Sequence, residues 1–180
     1  MSKILVHEFI SLDGVIESPT WTMDFGFDPR MGEAIGAIMG SCSGLLLGRR
    51  TYEMFAPAWS GRTSDQDPGA PFMNDSPKYV VASAPPAAEW ANTHVLGPYD
   101  AGAIRGLKER VEGDLYVSGS GVLVRGLLAD GLVDELHLFV YPVALGAGQR
   151  LFTGDGARTN FTLAASDAYD NGVLHLTYIP

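Results

Sequence analysis

Apolar and polar positions alternate between two periods along this chain. "KILVHEFI", residues 3–10, is β-branched and aromatic and reads as a strand. Residues 13–28 carry the loop punctuation Asp13-Gly14 and Ser18-Pro19 and read as one long loop, of a length often used for a lid. "DPRMGEAIGAIMGS" sets Met31, Ala34, Ile35, Ile38 and Met39 at helical spacing, behind Asp28 as N-cap and Pro29 at the first helical position. "GLLLG" is apolar and glycine-bounded, which suits a strand buried on both faces. "RRTYEMFAPAW" restarts a helix directly after Gly48, with Tyr52, Phe55 and Trp59 spaced for the core. Residues 60–77 read as a surface loop, and "KYVVAS" and "THVLG" as strands. "DAGAIRGLKERVEG" is an amphipathic helix capped by Asp100, "DLYVSG" a strand, "VLVRGLLADG" a helix and "DELHLFVYPVAL" a strand. "NFTLAASDAYD" and "GVLHLTYI" meet at Asp170-Asn171-Gly172, a hairpin signal.

Strands alternating with helices predict one α/β domain over residues 1–180. Its central sheet is mostly parallel, with helices on both faces and an antiparallel hairpin at the C-terminal edge. Ligands of such sheets bind beyond the carboxyl ends of the strands. That rule selects four places: Asp13-Gly14, Gly48-Arg49, Ala82-Ser83 and Gly119-Ser120-Gly121.

Composition narrows the function classes. Of the 180 residues 46% are hydrophobic and 18% charged, an ordinary globular balance. A net charge of −9 without a basic stripe argues against nucleic acid as a partner. No apolar run is long enough to span a membrane, and the N-terminus lacks the apolar region of a signal peptide. A single cysteine, Cys42, rules out an intrachain disulfide and suits the cytoplasm. His7, His94, His137 and His175 are scattered singly, so no metal is expected. An anionic ligand would need a local basic cluster, and Arg49-Arg50 is the densest.

The turn Gly119-Ser120-Gly121 follows a strand and opens a helix. Orphan N–H groups and the helix dipole favour an anion there, and bare residues let a phosphate approach the backbone. Close packing of helix on strand explains the same glycines equally well. The turn is not a dinucleotide fingerprint, since Val124 stands where the third glycine belongs. Nor is it a nucleophile elbow, because Ser118 and Val122 flank it in place of glycines. Gly48-Arg49-Arg50-Thr51 makes a second strand-to-helix turn, with guanidinium and hydroxyl donors suited to phosphate.

"SLDGV", "LLLGRRTYE", "KYVVAS" and "GSGVLVRGLLADGLVDELHLFVYPVALGAGQRLF" together resemble the dihydrofolate reductase-like family of riboflavin-biosynthesis reductase domains, the RibD C-terminal type. The resemblance covers nearly the whole chain. It implies a dihydrofolate reductase-like fold, NADPH as hydride donor and a homodimer. The cofactor would lie on Gly48, Arg49, Arg50, Thr51, Ser83, Gly119, Ser120, Gly121, Val122 and Leu123. Two departures stand out. Ser120 replaces the second glycine of the family's usual Gly-Gly turn, and Ala82-Ser83-Ala84 lacks the arginine often set against the 2′-phosphate. Arg49 or Arg50 would then read that phosphate, or NADH would serve as well.

The implied reaction is hydride transfer to a C=N or C=O carbon of a pterin- or pyrimidine-like heterocycle or a ribosylated substrate. A nucleotide-binding protein of the same fold without turnover is the alternative. Asp13 and Glu33 are the candidate catalytic carboxylates. Asp13 equally fits a turn aspartate, and Glu33 a favourable charge at a helix start. Trp21 either stacks on substrate from the loop or anchors the loop on the core.

Overall fold

The computed structural model describes residues 1–154, 156 and 158–180. Eight strands share one sheet: β1 (Ile4–Ser11), β2 (Cys42–Gly48), β3 (Lys78–Val81), β4 (Thr93–Gly97), β5 (Asp114–Ser118), β6 (Glu135–Tyr141), β7 (Thr162–Ala168) and β8 (Leu174–Ile179). Their order is β4-β3-β2-β5-β1-β6-β8-β7. The first six run parallel, while β8 is antiparallel to both β6 and β7. The mostly parallel sheet and its antiparallel hairpin are those the pattern predicts.

Strand alternation sorts the core into two layers. Ile4, Val6 and Ile10 of β1 join one layer with Ile104 and Leu107 of α4 (Ala101–Arg110) and Leu123, Val124 and Leu127 of α5 (Gly121–Ala129). Leu5 faces the other layer, with Met31 and Ile38 of α1 (Pro29–Gly40), Tyr52 and Ala56 of α2 (Arg49–Trp59) and Met73 of α3 (Ala70–Asp75). The caps read from sequence form as expected. Asp28 accepts from the Arg30 N–H at 2.9 Å and Asp100 from the Ala103 N–H at 2.6 Å.

Three sequence readings change. Residues 13–28 are not one irregular loop, because Pro19–Phe25 form a 3-10 helix. Pro19 presets its entry, and the Trp21 and Phe25 rings pack edge-on against Tyr141 at 5.5 and 5.6 Å. Residues 60–77 include α3, held by buried Ala70 and Met73 and too short to show a period. The histidines are not scattered: His7, His137 and His175 gather on one buried face of β1, β6 and β8. Among the described residues no helix is long and apolar enough to cross a membrane. Cys42 is half-buried; its thiol donates to the Ile38 carbonyl, and burial pushes its pKa up to about 12.

Candidate active site

β2 and β5 are neighbours, so their two strand-to-helix turns lie side by side. Ser120 stands in the left-handed region, φ 60 and ψ 39. Its hydroxyl accepts the Gly48 N–H at 3.0 Å, and its own N–H donates to the Thr51 hydroxyl at 2.9 Å. The serine that departs from the family's glycine pair therefore ties the start of α2 to the start of α5. Neither helix has a side-chain N-cap. The first-turn N–H groups of Arg49, Arg50 and Thr51, and of Gly121, Val122 and Leu123, have no acceptor within their own helices. Two positive helix ends thus converge on one spot.

Ser83 is exposed just past β3, whose Val81 pairs with Gly48. The predicted cofactor-binding residues so line the ends of three adjacent strands. Their side chains are not equivalent. Leu123 is buried in the core and offers only its backbone, whereas Val122 is 67% exposed. Arg49 keeps a loose 3.9 Å contact with Glu53, within its own helix. Arg50 leans toward Glu17 at 3.6 Å.

Gly121 takes the packing explanation. A Cβ on it would lie 2.6 Å from Ile16 Cδ1, so Ile16 fills the space that its missing side chain leaves. Ile16 belongs to a strap in which Val15 bridges to Arg150 and the Ile16 N–H donates to the Gln149 carbonyl at 3.0 Å. The space beside the Gly121 Cα is therefore taken by Ile16, and what the two helix starts still offer a phosphate is their first-turn N–H groups.

The structure engages the Asp13 carboxylate with donors from three segments. Its carboxylate accepts the Ser11 hydroxyl at 2.6 Å, the Leu145 N–H at 3.0 Å and the Gly146 N–H at 2.8 Å, with Arg150 Nη2 at 3.3 Å. The Ser11 hydroxyl and those two N–H groups hold the carboxyl well below the usual carboxylate range. An acid so fully accepted keeps its charge and clamps the loop after β6 to the loop after β1. Asp13→Asn is expected to lower the Tm, because an amide would turn a donor toward these N–H groups; Glu33→Gln is expected to leave it in place. Thermal melts of the two variants check this, and equal Tm values would return Asp13 to the list of idle turn residues.

Glu33 is exposed on α1, and its side chain makes no hydrogen bond among the described residues. It is not brought together with Asp13. Trp21 anchors its helix: its ring lies edge-on to Tyr141 and its indole N–H reaches the Glu17 carbonyl at 3.3 Å.

Two residues escaped the sequence reading. Glu8 is 2% exposed on the central strand, among the apolar side chains that face α5. Burial raises its pKa well above the ordinary value, opposed by the Gly119 backbone N–H. One carboxyl oxygen, Oε1, has no partner. His7, on the opposite face, pairs its Nδ1 with the Tyr116 hydroxyl at 2.7 Å. Burial, then His137 and His175, push its pKa down to about 3. The available signal was "HEF" itself: two ionisable residues inside an otherwise apolar strand at the centre of the sheet.

Comparison with known proteins agrees with this architecture. A crystal structure of a protein provisionally assigned to riboflavin biosynthesis in Shewanella sp. PV-4 superposes with a TM-score of 0.76. It is 21% identical, with 98% of each chain covered. The riboflavin biosynthesis reductase of Saccharomyces cerevisiae gives 0.61 at 13% identity, over 99% of this chain and 89% of the other. Dihydrofolate reductase from Enterococcus faecalis, solved with NADP(H), gives 0.63 at 16% identity, over 98% of this chain and 95% of the other. These likenesses are of fold. The sequence itself matches the family model of the RibD C-terminal domain over residues 2–175, so the chain belongs to the RibD C-terminal domain family.

Proposed function

We propose that this chain is an NADPH-dependent reductase that passes a hydride to a C=N or C=O carbon of a pterin- or pyrimidine-like or ribosylated substrate, working as a homodimer in the cytoplasm. One observation carries the reading: two uncapped helix starts, tied to each other through Ser120, converge at adjacent strand ends. A pyrophosphate needs that arrangement of donors. Related folds support it, since dihydrofolate reductase shares the architecture and has been solved with NADP(H).

NADPH would supply the hydride; the chain supplies binding and orientation. The N–H groups of Arg49 to Thr51 and of Gly121 to Leu123 would hold the two phosphates. The Thr51 hydroxyl, already accepting from Ser120, keeps its own proton free to donate. Arg49, whose one ion pair among the described residues is a loose 3.9 Å contact with Glu53, would be the cation for a 2′-phosphate, with Ser83 just past the strand next to its own.

Arg49→Ala is accordingly expected to weaken NADPH by about 10- to 100-fold, the worth of a charge-assisted hydrogen bond, and NADH much less. Arg50→Ala should change either affinity little, because Arg50 already faces Glu17. Titration by nicotinamide fluorescence decides. Equal weakening of both cofactors by Arg49→Ala would take the 2′-phosphate away from it.

The reading without turnover keeps one specific support: Asp13 is consumed by its donors and Glu33 faces solvent, so neither is placed to give a proton. NADPH oxidation across a panel of dihydropterins and ribosylaminopyrimidines separates the two. Binding without oxidation of any member would favour the binding protein.

A further inference from the structure

Glu8 pairs across β1 and β6 with Leu138, one step past the last β1–β5 pair, His7 with Ser118. Its lateral neighbour on the β5 side is therefore Gly119, the first residue of the ligand-facing turn. Gly119 has φ +62 and is followed by Ser120 at φ 60, two left-handed residues in succession. Such a pair is costly for serine and persists only where the surroundings hold it. Two of the supports are the Ser120 contacts to Gly48 and Thr51. Beside the turn in the strand register lies the Glu8 carboxyl, 2% exposed, with Oε1 left without a partner among the described residues.

The surroundings of that carboxyl are almost free of charge. Glu8 pairs with Leu138 and lies on the face of β1 whose other residues, Ile4, Val6 and Ile10, pack with Val117, Leu123, Val124 and Leu127. The ionisable groups of the adjoining elements are engaged elsewhere. Arg125 of α5 donates to the Arg150 carbonyl, Arg150 to Asp13, and Arg50 pairs with Glu17. His7 and Tyr116 bond to each other, His7 alternating to the opposite face of β1. An ionised Glu8 would thus place an uncompensated negative charge on the face of the sheet that carries α5, whose start offers its N–H groups to an anion.

We propose that Glu8 is a positioning residue whose buried carboxyl supports the Gly119-Ser120 turn in its ligand-receiving shape, and that its ionisation opposes anion binding at the start of α5. The anion half rests on the cofactor reading above. Cofactor affinity and Glu8 protonation are then one linked equilibrium: phosphate binding favours the proton, and loss of the proton disfavours phosphate.

The test compares wild type with Glu8→Gln, which keeps the shape and an acceptor but cannot ionise. The NADPH dissociation constant is measured by fluorescence from pH 7 to pH 9.5, and the Gly119 amide is followed by nitrogen-15 NMR without cofactor over the same range. The 2′-phosphate stays ionised throughout, and other titrating groups, such as Lys78, are common to both proteins. In wild type, affinity should fall at least threefold as pH rises, and the Gly119 amide should shift with the same midpoint. In Glu8→Gln that fall and that shift should be missing, leaving only the dependence on groups common to both proteins. Matching pH profiles in the two proteins overturn the linkage. A Gly119 amide that does not titrate in wild type, with NADPH still bound, overturns the role of Glu8 alone. No NADPH binding at any pH overturns the cofactor reading and the anion half with it, while the amide titration still decides whether Glu8 holds the turn.

Discussion

Acidification from pH 7 to pH 4.5 is expected to cost the wild-type fold roughly 2–3 kcal/mol more than it costs a His7→Leu variant. His7 is 3% exposed, and the fold holds its pKa down to about 3, against about 6.5 when free. A depressed histidine contributes stability that is fully present above about pH 6.5 and is lost as pH falls toward its folded value. The unfolded chain takes up the proton in that window and the native state does not. Burial shifts His137 and His175 in the same direction, and His175 Nε2 lies 3.1 Å from His137 Nδ1, so protonating either opposes charging the other. Glu8 has the opposite sign: its raised pKa contributes stability that is present at low pH and lost as pH rises, which masks part of the histidine effect in wild type alone. The variant removes that ambiguity, because Glu8 is common to both chains. Asp13 and Asp28 are held low and lose their contribution only below the ordinary carboxylate range, outside the window. Urea midpoints for both proteins at half-unit pH steps read the difference directly. Parallel profiles would mean that His7 is charged, or wet, in the native state.

What could be read from the sequence was local. The period of each strand and helix, the aspartate caps at Asp28 and Asp100 and the Asp170-Asn171-Gly172 turn all depend on residues within one or two turns of chain. Each formed where the pattern placed it. That the Gly48 and Gly119 turns lie at the same end of the sheet also followed, because a parallel sheet carries all its strand-to-helix turns there; that β2 and β5 are neighbours did not. What the pattern did not show involves partners distant in sequence. Asp13 resembled a cleft carboxylate until Leu145 and Gly146, 132 and 133 positions away, were seen to donate to it. The turn at Gly121 was legible, but Ile16, which fills the space left by its missing side chain, was not. Three histidines spread over 169 positions became neighbours because β1, β6 and β8 pair in register, and residues on alternate positions then share a face. Glu8 could not be identified as buried from period alone, since a polar residue inside an apolar strand fits an exposed face as well as an uncharged acid in a core.

Gly148→Ala is expected to destabilise the protein by roughly 2–4 kcal/mol, the combined cost of a left-handed backbone on an L residue and of overpacking a core. Gly148 has φ +122, and a Cβ built there would lie 2.6 Å from Val15 Cγ1. Val15 is 1% exposed and β-branched, so neither its rotamer nor its backbone gives way cheaply. The strap around it is closed by short bonds on both sides. The Ile16 N–H reaches the Gln149 carbonyl at 3.0 Å, the Leu151 N–H the Gly14 carbonyl at 2.9 Å, and the Gln149 N–H the Glu17 carboxylate at 3.1 Å. Moving Val15 must therefore move Ile16, the residue that fills the gap at Gly121 and so supports the start of α5. The substitution should weaken NADPH as well as stability, by threefold or more, although Gly148 is remote from the proposed phosphates. Val15→Ala removes the atom in conflict but not the backbone strain, so the double variant should recover part of the loss. The two changes should depart from additivity by about 1 kcal/mol or more, as contacting residues do. Urea unfolding of the four proteins of the cycle measures this. A Gly148→Ala chain within about 0.5 kcal/mol of wild type, the ordinary range for a neutral substitution, would show that the strap is soft and that Ile16 does not transmit its position to the glycine turn.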